Sequence, residues 1–348
     1  MKEQKYIVQS IKNIAATFYQ QSLRENQEAL DYIHSRGISD QTIQNMSIGY
    51  APQSGAALRV YLEGQGIDPY LAMDTNLLII AGITNNIRDY FSDYIIFPVF
   101  VGTDAVTFTG RLVHQPNPLD TNYKPKKHMH LRGAKKHLYN YNVISQNKNI
   151  LIVESPFNAL SLMEWGYSSV VAVLGANSFT KEYAQLFNAK NVFIIYDNDA
   201  NNSGQRASIK TAKLLYQESK VDPYILTMPL GIDVNEYFLA HTKDDFIKEI
   251  MYDRIKFSDT NEFKAWIKEI TEQALKPKYI SNGDGDLDMV LQIPIMDIIA
   301  MLCIPVSKFG NIYKSICPFH KESEDSFIVY TETNTVKCFG CGFFGDGV

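Results

Sequence analysis

Cysteine is scarce in this 348-residue chain: Cys303, Cys317, Cys338 and Cys341 are the only four, and all fall within the last 46 residues. A disulfide framework spread across the fold is thereby excluded, and without a secretory signal such clustering reads as a metal site. Equally missing is any apolar run near the ~18 residues of a membrane span. The opening MKEQKYIVQS also lacks the apolar stretch of a signal peptide, so the expected place is the cytoplasm, with no membrane partner. Positive charge is not in excess. With 33 Lys and Arg against 38 Asp and Glu the net charge is −5, so any hold on nucleic acid has to come from local patches. No GxxxxGK[ST] phosphate loop occurs, which excludes that kind of ATPase motor, and there is no internal repeat.

What is present is an ordinary 45% of hydrophobic residues, with length enough for two or three domains. Residues 10–35 place apolar side chains at helical spacing, Arg36-Gly37 breaks the run, and a short second helix is expected over Asp40 to Asn45. Between Leu77 and Val113 the pattern turns to β-rich runs, YIIFPVF and AVTFTGRLV, which predict a small sheet. From Asn149 the runs NILIVE, SVVAVLG and NVFIIYDND are continuously apolar and each precedes a helical stretch, the mark of a parallel β-α-β sheet. Residues 236–276 read as amphipathic helices. The turn-rich, acidic stretch 277–288 reads as a linker, and its glycine and glutamate spacing does not match a calcium loop.

Parallel sheets place ligands at the carboxyl ends of their strands, where Glu154, Asp197 and Asp199 fall. Carboxylates at i and i+2 beside a strand end can point toward one position, and their convergence calls for a hard cation with oxygen ligands, magnesium or manganese. Asp233, beyond the next strand YILTMP, can join them. The bland alternative is that these acids are solvated or cap helices. Upstream, residues 124–137 hold six Lys or Arg and three His in fourteen positions. Lys126, Lys127, Arg132, Lys135 and Lys136 offer phosphate contacts there, against the alternative of a solvated loop, and the histidines read as surface polar groups. At the C-terminal end, Cys317-x-x-His320 and Cys338-x-x-Cys341 have the paired spacing of one tetrahedral structural zinc. Cys303, in the apolar stretch MDIIAMLCIPV, reads as a buried thiol.

Several of these segments resemble one family in family order. ILIVESPFNALSLMEWGYSSVVAVLGANSFT with VFIIYDNDANNSGQRAS resembles a Toprim domain, whose glutamate and DxD are met by Glu154, Asp197 and Asp199. The run DVNEYF around Asp233 is close to the form in phage primase-helicases. TFYQQSLRENQEALDYIHSRGISDQTIQNMSIGYAP and VTFTGRLV resemble the RNA-polymerase domain of DnaG-type primases, and CPFH with CFGCGFFGD resembles their CHC2 zinc ribbon. Departures are Ser155 and Asn158, where the family has glycine and aspartate, and Asp325 in place of a proline. The ribbon also follows the Toprim segment instead of preceding the polymerase domain, and the family continues into a helix where this sequence stops at Gly347-Val348.

The resemblance implies an α/β fold: a primase RNA-polymerase core with a Toprim subdomain on a parallel, Rossmann-like sheet, a helical subdomain and a C-terminal zinc ribbon. The expected boundaries are 1–148 for the basic N-terminal subdomain, 149–234 for Toprim, 235–276 for the helical subdomain, 277–288 for the linker and 289–348 for the ribbon. It implies primer synthesis from ribonucleoside triphosphates on single-stranded DNA, with Glu154, Asp197 and Asp199 catalytic and Asp233 joining them on magnesium. Arg111 joins the basic contacts, Lys337, Phe339 and Tyr330 touch the template, and a separate helicase supplies the motor. Two alternatives stay open: a Toprim nuclease or topoisomerase-like enzyme, and a catalytically idle factor that binds single strands.

Overall fold

The computed structural model describes residues 2–81, 86–114, 125–133, 137–175, 178–199, 203–258, 295–296, 299, 304–317, 325–333, 335–341 and 344–346. The chain forms two compact units, Met1–Ala265 and Trp266–Val348. Among the described residues no helix is long and apolar enough to cross a membrane.

In the first unit, helices α1 (Lys2–Arg24), α2 (Gln27–Ser35) and α3 (Asp40–Asn45) lead into strand β1 (Gly49–Ala51). The single helical run expected over residues 10–35 is therefore two helices. Asn26 divides them, because its side chain accepts a hydrogen bond from Ala29 N and caps α2. After α4 (Ala57–Gly64), the short α5 (Pro69–Ala72) and the hairpin β2 (Leu78–Ala81) and β3 (Asn86–Asp89), the long strands β4 (Tyr94–Val101) and β5 (Asp104–Leu112) pair antiparallel. With β1 and β6 (His128–His130) they make a sheet ordered β1-β4-β5-β6. Gly49 faces α1 because a side chain there would strike the backbone of Tyr19.

A turn of helix, α6 (Val143–Gln146), leads to the parallel sheet: β7 (Asn149–Val153), α7 (Pro156–Glu164), β8 (Val170–Ala172), α8 (Lys181–Ala184), β9 (Asn191–Tyr196), α9 (Ser203–Ser219) and β10 (Tyr224–Thr227). The order is β11-β10-β9-β7-β8, parallel except for the edge strand β11 (Ile255–Lys256), which runs antiparallel to β10. The strands read as unbroken apolar runs because helices cover both faces. Helix α10 (Val234–Ala240) follows β10, then a π-helix at Phe246–Met251. The stretch 236–276, expected to be helical, thus contains a strand at Ile255–Lys256: Tyr224 and Ile225 offer an open sheet edge, and pairing with it overrides the helical periodicity. The expected linker at 277–288 lies outside the described residues, as does Cys303.

One apolar cluster joins the β1-β4-β5-β6 sheet to the parallel sheet, with Ile33, Phe97 and Tyr139 packed together with Val153, Phe157, Leu160 and Ile195. The second unit is an antiparallel sheet of β12 (Ser307–Phe309), β13 (Ile312–Ser315), β14 (Phe327–Tyr330), β15 (Thr335–Cys338) and β16 (Phe344–Asp346), in that order. Its small core gathers Ile295, Ile299, Phe327, Val329 and Val336 around Cys317 and Cys338.

Candidate active site and metal centres

Glu154 and Asp197 each follow directly on a strand, β7 and β9, and these strands are parallel neighbours with Val153 opposite Ile195. Their carboxylates therefore come to one end of the sheet. Asp233 arrives from the turn after β10, where it caps α10: its Oδ1 accepts from Glu236 N at 2.8 Å, and its own N–H donates to Glu236 Oε2 at 3.1 Å. All three line one cleft of about 310 Å³. Burial, followed by the nearby charges of Glu154 and Asp233, pushes the Asp197 carboxyl up to about 8, although the Asn158 amide pulls the other way. Burial also raises Asp233. Asp199 is exposed, accepts a hydrogen bond from Ser203 Oγ at 3.0 Å, and is not among the cleft-lining residues.

The opposite wall is basic. Arg111 on β5, Lys127, and His128 and His130 on β6 line it, and Arg36 from the turn between α2 and α3 completes it. Arg111 Nε donates to Tyr32 Oη at 3.2 Å, and its NH1 donates to His128 Nε2. Desolvation by the cleft walls, then the charges of Arg111 and Lys127, drives His128 down to about 4, so its imidazole is neutral and accepts that bond. The Arg36 guanidinium lies 5.6 Å from the ring centres of both Tyr32 and Phe157 and donates to Asn235 Oδ1 at 3.2 Å. Asn235 returns the contact, its Nδ2 donating to the Arg36 carbonyl and to Ser161 Oγ. Gly37, at φ +76, makes this turn possible, since a side chain there would meet the Phe238 ring.

Of the residues expected from sequence, the cleft brings together Glu154, Asp197, Asp233, Arg111 and Lys127. Lys126 is exposed and contributes its carbonyl to Tyr94 Oη, and Arg132 lies over the Tyr90 ring at 6.0 Å. Lys135 and Lys136 lie outside the described residues. Sequence reasoning missed Arg36, which read only as a helix break; His128 and His130, read as surface polar groups, are exposed and also line the cleft. The alternation of Arg111 with Thr109 on β5 and of His128 with His130 on β6 was the available signal, since both pairs face one side of paired strands.

The main chain of Asp197 is held from behind by α9. A Cβ on Gly204 would run into the Asp197 carbonyl oxygen. Gly204→Ala should therefore cost about 3 kcal/mol of stability, read as a lower urea midpoint, and should weaken whatever the acidic wall does; an unchanged midpoint would contradict this packing.

In the second unit the Sγ atoms of Cys317, Cys338 and Cys341 lie within 4.8 Å of one another, the only such cluster of possible metal ligands among the described residues. Cys338 Sγ accepts from the N–H of Gly340 at 3.3 Å and of Cys341 at 3.4 Å, and stands 3.0 Å from Ser326 Oγ. Burial works against its ionisation, but these donors outweigh it and bring the thiol down to about 6. Three sulfurs so placed, backed by N–H donors from their own turn, suit zinc. His320 lies outside the described residues. Lys337 Nζ sits 4.9 Å from the Phe339 ring centre, and that ring is 59% exposed. The carboxylates of the first unit offer the oxygen donors that magnesium takes while keeping waters and sharing its shell with phosphate.

The family described as the DNA primase catalytic core, N-terminal domain, matches residues 18–145; a Toprim-like family matches 151–238 and the CHC2 zinc finger matches 286–348. A DNA primase of Clostridium acetobutylicum is 25% identical over 349 residues, covering 93% of this chain and 56% of the relative. One from Aquifex aeolicus is 30% identical over 234 residues, 66% of this chain and 45% of the relative. The chain thus spans about half the length of these relatives. Among solved structures, the zinc-binding and RNA polymerase domains of the Aquifex aeolicus primase superpose with a TM-score of 0.65 at 23% identity, covering 87% of this chain and 74% of that one. A DnaG primase catalytic domain bound to single-stranded DNA gives 0.62 at 20%, covering 78% and 94%. The chain thus carries a DnaG primase N-terminal catalytic core, a Toprim-like domain and, placed last, a CHC2 zinc finger, and in sequence and fold it is similar to DNA primases.

Proposed function

We propose that this chain synthesises short RNA primers on single-stranded DNA by metal-dependent nucleotidyl transfer. The observation that carries this reading is the cleft itself, with the carboxylates Glu154, Asp197 and Asp233 on one wall and the cations Arg36, Arg111 and Lys127 on the other.

Glu154, Asp197 and Asp233 would hold magnesium, with Asp199 at the same strand end. When bound, the metal neutralises the charge that develops on the α-phosphoryl group. The chain's own residues supply the rest. Arg111 and Lys127 grip the phosphates of the incoming ribonucleotide, and neutral His128 keeps the Arg111 guanidinium turned toward them. Arg36 adds a fixed cation beside Asp233. A 3′-hydroxyl held in line forms the new O–P bond at the α-phosphorus as the bond to the β-phosphate breaks, its proton passing to Glu154 or through it to water, and pyrophosphate leaves toward the basic wall. Lys126, Arg132, Lys135 and Lys136 offer backbone contacts to the template.

The zinc held by Cys317, His320, Cys338 and Cys341 is structural, and Lys337, Phe339 and Tyr330 present charge and aromatic surface to single-stranded DNA. A separate replicative helicase and work in the cytoplasm complete the reading.

The test is incubation of the chain with single-stranded DNA, the four ribonucleoside triphosphates and magnesium. Short RNA is the expected product. DNA fragments instead would mark a Toprim nuclease, and binding without product in magnesium or manganese would mark an idle binding factor.

A further inference from the structure

Asn158 stands in the first turn of α7, four residues after Glu154, with its side chain fully buried. Its Nδ2 donates to Asp197 Oδ1 at 2.8 Å, while its Oδ1 is shut from solvent and has no hydrogen-bond partner. Only this orientation suits an ionised Asp197, since the amide turned over would then set oxygen against oxygen. The backbone that carries it is pinned: Pro156 opens the helix, and Ser155 caps it by accepting from Asn158 N at 3.3 Å. Gly204 pins Asp197 from the other side. The amide therefore ties together the two strand ends that carry Glu154 and Asp197.

We infer that Asn158 is a positioning residue, which fixes the Asp197 carboxylate through a neutral hydrogen bond so that the acidic wall is assembled before any metal arrives. This rests on the reading of Asp197 as a magnesium ligand. Once Asp197 is ionised, an aspartate in the same place would face it as a second anion and would need a cation between them. The asparagine removes that need. With its oxygen shut from solvent and the residue outside the cleft lining, it serves the metal through Asp197 and is not itself a ligand.

The experiment compares the parent chain with Asn158→Leu, which keeps volume and loses the donor, and Asn158→Asp, which keeps shape and adds repulsion. Melting is followed in EDTA and in magnesium, manganese binding is counted by electron paramagnetic resonance, and the magnesium dependence of activity is measured. Both variants should melt about 3–8 °C below the parent in EDTA, and magnesium should remove most of the Asn158→Asp deficit. Asn158→Leu should bind as many manganese ions as the parent, with half-saturation roughly tenfold higher and kcat at saturating metal nearly kept. A packing role alone would lower melting equally with and without metal and leave half-saturation in place. Parental melting of Asn158→Asp in EDTA, or loss of a manganese ion in Asn158→Leu, overturns the inference. If the parent itself binds no manganese, the metal-holding reading fails instead, and the EDTA melts still report the amide's hold on Asp197.

Discussion

Asp197→Asn should stabilise the metal-free protein at alkaline pH while reducing primer synthesis at least about 100-fold. The two effects have one cause. Burial and the neighbouring Glu154 and Asp233 raise the Asp197 carboxyl from 3.8 to about 8. A group whose value is higher in the folded state favours folding fully below its unfolded value, and that favour is lost as pH rises through the folded one. Between about pH 4 and 8 the metal-free chain should therefore lose stability, by up to roughly 5 kcal/mol from this residue. Magnesium should abolish the loss by compensating the buried charge. Asparagine removes the charge and hence the slope, and it removes a ligand as well. Melting temperatures in EDTA across this pH range, for parent and variant, give the check; a parent curve that is flat from pH 5 to 8 would contradict it.

Removing zinc should unfold the second unit and leave the first standing. Among the described residues the core of that unit is a handful of side chains, Ile295, Ile299, Phe327, Val329 and Val336, packed around two cysteines, and small domains with such cores depend on a staple such as a metal. Structural zinc contributes about 10–16 kcal/mol in small domains, more than such a core supplies. Chelation, or Cys338→Ser, should therefore abolish the near-ultraviolet signal and protease resistance of residues 304–346 while the melting transition of Met1–Ala265 stays in place. Cys338 is the severest choice because three donors converge on its sulfur. A second unit that resists protease without metal would refute the prediction.

The parallel sheet was readable because its strands are buried on both faces and so appear as continuous apolar runs ending in the acids they position. The cysteine pairs were readable because ligand spacing on a tight turn is a local property. Arg36 was hidden for the opposite reason. Its neighbours Tyr32, Phe157 and Asn235 come from three helices, and only the fold brings them together. Likewise, nothing local distinguishes an amide that ligates from one that donates: the direction of Asn158 depends on Asp197, 39 residues away. Asn26 looked like one more polar residue in a helical run, yet its cap divides that run. Ile255 and Lys256 were claimed by a sheet edge that periodicity cannot foresee.

The apolar cluster joining the two sheets of the first unit has a consequence for how substrates are chosen. Because Ile95 and Phe97 on the basic side share one interior with Phe157 and Ile195 on the acidic side, the walls of the cleft cannot swing apart without opening that interior. On the proposed function the cleft would act as a fixed gauge and not as a closing jaw, accepting a nucleotide that spans its carboxylates and cations, and choice by template would then fall to the strand presented to it.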